Sequence, residues 1–190
     1  MADPRQPDTA RLPAEGLRRF FARLVRPSFA ALGLDTGPVA DYVTDLLARF
    51  ARTEQLYRVR DGQGRPLETV ADMLLELARL WGPGRDYQYD REIDLRRHCG
   101  DFALFMSGLF RARVERDALL GYYLAEGQRS YRTVADRLGM VYASGAALFR
   151  DLAHDFEHVS GALDYMRKVH MQPGSYSGPE AAALRVLGLN

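Results

Sequence analysis

The sequence contains little cysteine, little lysine and no long apolar run, and each of these absences excludes a class of protein. Cys99 is the only cysteine among 190 residues, so no disulfide can form within the chain. Lys168 is the only lysine, and we interpret the use of arginine everywhere else as the codon bias of a GC-rich bacterial genome. No window approaches the roughly 18 consecutive apolar residues that a membrane-spanning helix requires, so we expect a soluble protein.

Net charge and the first residues limit the partners and the location. The chain has 26 basic and 25 acidic side chains, for a net charge of +1, so it has no overall field to attract nucleic acid or an anionic membrane. Residues 1–12 are polar and do not contain the apolar core of a signal peptide. We therefore predict a flexible tail over these residues, a cytoplasmic location, and neither nucleic acid nor a membrane as a partner.

Common catalytic signatures are missing as well. The sequence has no G-x-S-x-G turn of a serine hydrolase, and its glycines at 62 and 64 do not precede a lysine and serine pair that would bind phosphate. Cys99 follows His98, but neighbouring side chains on a helix diverge by about 100°, so the two do not form a nucleophile and its base. We expect Cys99 to be a small core residue.

Apolar residues recur at steps of three and four along most of the chain, which predicts an all-α fold. We expect one compact domain over residues 13–170, a bundle of about six helices, because the length suits a single core. Pro27 should end or kink the first helix, and the sixth should run unbroken from Ser144 to Val169. The six predicted helices lie near 13–32, 38–50, 68–81, 90–110, 116–138 and 144–169.

Two segments differ from this helical pattern. Residues 56–67 combine strand-forming residues with Asp61, Gly62 and Gly64, and predict a short β-hairpin. Residues 171–190 predict a linker followed by a short apolar helix, whose start has the capping-box spacing of Ser177 and Glu180. This helix either packs on its own domain or docks on another chain.

Two groups of acids and histidines have a spacing that would let them bind metal. Each group occupies positions i, i+4 and i+7 on one face of a predicted helix, and if the two faces met, carboxylates and imidazoles would converge as in di-metal helical bundles binding iron, manganese or zinc. Alternatively, the acids form a solvated flank paired with arginines, and His98 is a boundary residue. The candidate metal ligands are Asp94, His98, Asp101, Asp151, Asp155 and His158.

Exposed tyrosines and the C-terminal leucines are candidates for a protein interface, because tyrosine offers contact area with a polar tip. We predict a non-catalytic cytoplasmic interaction module without a cofactor, acting through a protein partner or as a homodimer. The alternatives are a metal-binding bundle with redox or hydrolytic activity, and a small-molecule sensor with a pocket between helices. The predicted interface residues are Tyr87, Tyr89, Tyr122, Tyr123, Leu184, Leu187 and Leu189.

Overall fold

A computed structural model describes residues 13–52, 56–81, 88–139, 143–172 and 174–189, with only the backbone described at 143 and 144. These ranges form an all-α fold, as the hydrophobic pattern predicts, although they contain nine helices where about six are expected; the predicted N-terminal tail lies outside them. None of these helices is long and apolar enough to cross a lipid bilayer. The helices are α1 (Ala14–Ala31), α2 (Pro38–Phe50), α3 (Val70–Leu80), α4 (Tyr89–Leu109), α5 (Arg111–Arg116), α6 (Leu120–Gly139), α7 (Ala143–His154), α8 (Phe156–His170) and α9 (Gly178–Val186).

Local sequence signals explain how several helices begin. Pro38 is the first residue of α2, after a turn in which the Gly37 amide donates to the Asp35 carboxylate at 3.0 Å. Helix α3 has a full capping box, since Thr69 and Asp72 each accept from the backbone amide of the other. The starts of α2 and α3 are therefore encoded by residues adjacent in the sequence.

Pro27 does not end α1, which continues to Ala31. A proline inside a helix removes one backbone hydrogen bond, but buried side chains hold α1 on both sides of it: Leu24 and Val25 before and Phe29 after are at most 6% exposed. Tertiary packing therefore outweighs the local cost of the proline.

The predicted fifth and sixth helices differ from the structure. The fifth starts later, because Ala118 adopts a left-handed φ of 58° between α5 and α6. The sixth is divided into α7 and α8 at Asp155. Leu152 and Phe156, on either side of this break, are both fully buried, so the apolar periodicity continues across it and does not reveal it.

Helix α4 lies at the centre of the fold, in contact with α3, α5, α6 and α8. Three glycines lie where these helices approach one another closely. A Cβ atom on Gly100 would lie 2.6 Å from the Tyr131 ring, and one on Gly127 would lie 2.1 Å from the Phe156 ring. A Cβ atom on Gly108 would likewise overlap the side chain of Leu163 on α8. Helix α4 is continuous through Gly100, where the missing side chain leaves room for a ring from α6.

The predicted hairpin is a turn with one antiparallel bridge, between Arg60 and Pro66, and the described residues contain no strand. Asp61 closes the turn by accepting from the amides of Gln63 and Arg65 at 2.8 and 2.9 Å. Hydrogen bonds to these amides are the main reason that the pKa of Asp61 is lowered, although its burial opposes this. The turn is thus closed by local hydrogen bonds, and the buried Leu67 belongs to the hydrophobic core.

The C-terminal helix α9 packs on α1 of the same chain. The expected capping box is not formed: Ser177 makes no capping hydrogen bond, and Glu180 instead pairs with Arg23 of α1. Tyr176 also contacts α1, edge-on to the ring of Phe20 with centroids 5.2 Å apart. The first of the two alternatives for this segment, packing on its own domain, therefore describes the structure.

Candidate functional site

Asp101 of α4 is fully buried and accepts hydrogen bonds from two other helices. The hydroxyls of Tyr42 on α2 and Tyr131 on α6 both donate to its Oδ1, at 2.6 and 2.8 Å, and Arg49 on α2 donates to its Oδ2 at 3.0 Å. A buried carboxylate is costly unless it is paired and hydrogen-bonded. The donors satisfy this carboxylate and connect α2, α4 and α6.

Arg97 completes this network on its outer side. Its Nε donates to the Tyr42 hydroxyl at 3.1 Å, and its guanidinium lies over the rings of Tyr42 and Phe149, 5.4 and 5.8 Å from their centroids. Burial, and then the negative charge of Asp101, raise the pKa of both Tyr42 and Tyr131 above the ordinary value. Both tyrosines therefore remain protonated donors, and the network fits a structural role rather than proton transfer.

His98, one helical turn from Asp94, is also fully buried. Neither ring nitrogen makes a hydrogen bond of good geometry with the described residues, and the ring packs edge-on against Phe50 with centroids 5.8 Å apart. Burial lowers the pKa of His98 to about 4, although the nearby Asp101 carboxylate opposes this. The imidazole is therefore neutral at neutral pH.

The structure does not bring the six candidate metal ligands together. On α4, Asp94 is exposed while Asp101 on the same face is buried, because Tyr42 of α2 and Tyr131 of α6 cover Asp101. Asp151 and His158 are exposed, and Asp155 is half-buried at the break between α7 and α8. Across the described ranges, no three His, Cys, Asp or Glu side chains are grouped so that they could hold a metal. The metal hypothesis therefore gains no support from the geometry.

The predicted tyrosine surface is also dispersed. Tyr87 lies outside the described residues. The half-buried Tyr89 donates to the carbonyl of Arg137, near the end of α6, whereas Tyr122 and Tyr123 lie at its start with rings 5.8 Å apart. Fifteen helical residues separate these two ends by roughly 22 Å. Tyr122, 38% exposed, is the most accessible of those described.

The leucines predicted for the interface lie in or against the protein's own core. Leu184 and Leu187 are 2% and 4% exposed and belong to the same hydrophobic cluster as the helices of the bundle, while Leu189 is partly buried against it. In this conformation they are covered by their own chain. They therefore stabilise the position of α9 and do not present a surface to a partner.

A surface that the sequence pattern did not identify lies on α3. The spacing of apolar residues predicts one stripe of six residues on this helix, of which three are buried: Val70, Met73 and Leu77. The other three are more accessible, since Leu74 is half-buried, Ala78 is exposed, and Trp81 is 55% exposed. Leu75 is 61% exposed. We call these residues, together with the exposed Ala71, the outer face of α3. The sequence could have revealed this surface, because α3 has more apolar residues than its main neighbour, α4, can cover.

Polar side chains of α3 lie on one flank of this face. Glu76 is buried, and it accepts from Arg91 of α4 at 2.7 Å. Arg79 lies 3.5 Å from Glu76, with more than half of its side chain exposed. Asp72 takes part in the capping box. The outer face is thus an apolar stripe with an acid and a base along one edge.

Comparison with known proteins does not assign a function. No protein-family model, curated protein or solved structure matches this chain. Of the features described, the Asp101 network is internal and the outer face of α3 is accessible.

Proposed function

We propose that the protein is a non-catalytic helical module that self-associates through the outer face of α3. The observation that carries this proposal is the exposure of two large apolar side chains, Leu75 on α3 and Trp81 directly after its last residue. Ala71, Leu75 and Ala78 follow one another at i, i+4 and i+7, so they share one side of α3. Contiguous exposed apolar surface of this kind marks interaction sites in soluble proteins.

The arrangement of charges favours a second copy of the chain as the partner. In an antiparallel pair of α3 helices related by a two-fold axis near Leu75, the two leucines meet at the centre. Asp72 and Arg79 lie three residues before and four after Leu75, so Asp72 of each copy faces Arg79 of the other. Ala71 and Ala78 are small enough to let the two helices approach closely. Shape and charge are therefore both self-complementary.

Sedimentation velocity over a range of protein concentrations tests the association. We expect the full chain to form a dimer and Leu75→Glu to sediment as a monomer, because the substitution places a charge at the centre of the contact. The matched control is Leu119→Glu, which changes another exposed leucine, 42% accessible and distant in sequence from α3. A full chain that stays monomeric at every concentration, or a dimer unaffected by Leu75→Glu, would contradict the proposal.

Charge reversal tests the orientation of the two copies. Arg79→Asp should weaken the dimer by placing a second carboxylate opposite Asp72 of the other copy, and the double variant Asp72→Arg with Arg79→Asp should restore it. The reversal at Asp72 removes a helix cap worth about 1 kcal/mol, so the thermal unfolding of each variant is measured as well. If the double variant is folded but no more dimeric than Arg79→Asp, the antiparallel arrangement is wrong.

A further inference from the structure

A groove beside α5 and α8 concentrates positive charge in a chain that is nearly neutral overall. Its volume is about 340 Å³. All of its charged lining residues are arginines: Arg113 and Arg116 of α5 and Arg167 of α8. Its other lining residues are apolar or glycine, and they include Phe110 and Met171. We call it the arginine groove.

The acids near this groove compensate its charge only weakly. Arg116 lies 3.9 Å from Asp117, and Arg167 lies 4.0 Å from Asp164, both at the outer limit of an ion pair. Asp164 makes its short contact elsewhere, with Lys168 at 2.6 Å. Within the described residues Arg113 makes no ion pair, and the buried Nε of Arg167 has no hydrogen-bond partner. The groove therefore offers donors and positive charge to a ligand.

We propose that the arginine groove binds a small soluble phosphate monoester, with the phosphate on the arginines and an apolar group against Phe110, Met171 and Leu189. Guanidinium forks match the oxygens of a phosphate and bind them through charge-assisted hydrogen bonds. Pockets for small ligands have volumes of roughly 300 to 1,000 Å³, so this groove suits a ligand at the small end of that range. The groove shares no lining residue with the outer face of α3.

Isothermal titration calorimetry on the full chain tests the site with phenyl phosphate and inorganic phosphate as probes. Phenyl phosphate should bind more tightly than inorganic phosphate, because only the ester reaches the apolar wall. Arg113→Gln and Arg167→Gln should each weaken binding by about tenfold, the loss expected for one charge-assisted hydrogen bond. Arg113→Lys should lose less, because it retains the charge without the fork.

Arg26→Gln is the matched control, because Arg26 lies on α1 and pairs with Asp41 at 2.8 Å. This variant should bind phenyl phosphate as the unchanged protein does, and thermal unfolding verifies that every variant is folded. Absence of binding by phenyl phosphate overturns the proposal. An equal loss of binding in Arg26→Gln also overturns it, since the attraction would then be unspecific. If phenyl phosphate and inorganic phosphate bind with equal affinity, the proposed contact of the ligand with Phe110, Met171 and Leu189 is wrong.

Discussion

Replacing His98 by phenylalanine should make the protein more resistant to acid. Burial lowers the pKa of His98 to about 4 in the folded chain, whereas an unperturbed histidine in the unfolded chain has a pKa near 6.5. Between these two values the unfolded chain binds more protons than the folded one. The free energy of unfolding therefore falls as the pH decreases from about 6.5 to 4. Above pH 6.5 His98 is neutral in both states, and its titration does not lower the free energy of unfolding.

The size of this effect follows from the difference between the two pKa values. The difference between pKa values of about 4 and about 6.5 corresponds to about 3 kcal/mol of the free energy of unfolding. Nearly all of this stability is lost by pH 4. Besides burial, the charges of Arg58 and Arg49 lower the pKa of His98, while the Asp101 carboxylate and the nearby backbone of Leu56 raise it. These opposing groups are retained in a variant that changes only the imidazole.

Urea unfolding at a series of pH values from 7 to 4 measures the effect. At pH 7, His98→Phe should be within about 1.5 kcal/mol of the unchanged protein, since it replaces one buried aromatic ring with another of similar shape. Between pH 7 and pH 4, the free energy of unfolding of His98→Phe should rise by about 3 kcal/mol relative to that of the unchanged protein.

Phe50→Leu provides the control, because it removes the ring that contacts His98 but keeps the titrating group. It should lower the stability at every pH and retain the loss of stability towards acid. If His98→Phe loses stability between pH 6.5 and 4 as steeply as the unchanged protein, His98 is not the residue responsible, and the argument from its burial is refuted.

Three further substitutions test the packing through urea or thermal unfolding. Tyr131→Phe removes one of the donors to the buried carboxylate and should cost about 1 to 3 kcal/mol; an unchanged unfolding midpoint would contradict its role. Gly127→Ala should cost about 1 to 3 kcal/mol or more because its Cβ would overlap the Phe156 ring, whereas Gly121→Ala on the same helix meets open space and should be neutral or stabilising. Leu184→Ala should cost about 2 to 5 kcal/mol if α9 is part of the core, and a cost near zero would show that α9 is not.

The fold class could be predicted from sequence because helical periodicity is a local property. The Asp101 network could not. Its carboxylate is held by Tyr42, Arg49 and Tyr131, which lie 59, 52 and 30 residues away. The local spacing of Asp94, His98 and Asp101 predicted that they share a helix face, but it could not reveal that two other helices bury only the later part of that face.

The same limit applies to α3. The sequence predicts its position within two residues at each end, because the apolar residues recur at helical spacing. The prediction of its buried side was wrong at Ala78 and Trp81. Apolar residues extend over more of the helix than one neighbouring helix can cover, and the sequence does not state which part is covered.

The glycine contacts of α4 and α6 have a consequence for how the molecule comes apart. Tyr131 of α6 fits against Gly100 of α4, Phe156 of α8 fits against Gly127 of α6, and α8 also fits closely against Gly108 of α4. Each of the three helices is thus interlocked with the other two, and none can slide or detach without opening both of its contacts. Amide hydrogens in α4, α6 and α8 should therefore exchange with solvent together, in the slowest step that opens the whole molecule, whereas those of α3 and α9 exchange through smaller local openings.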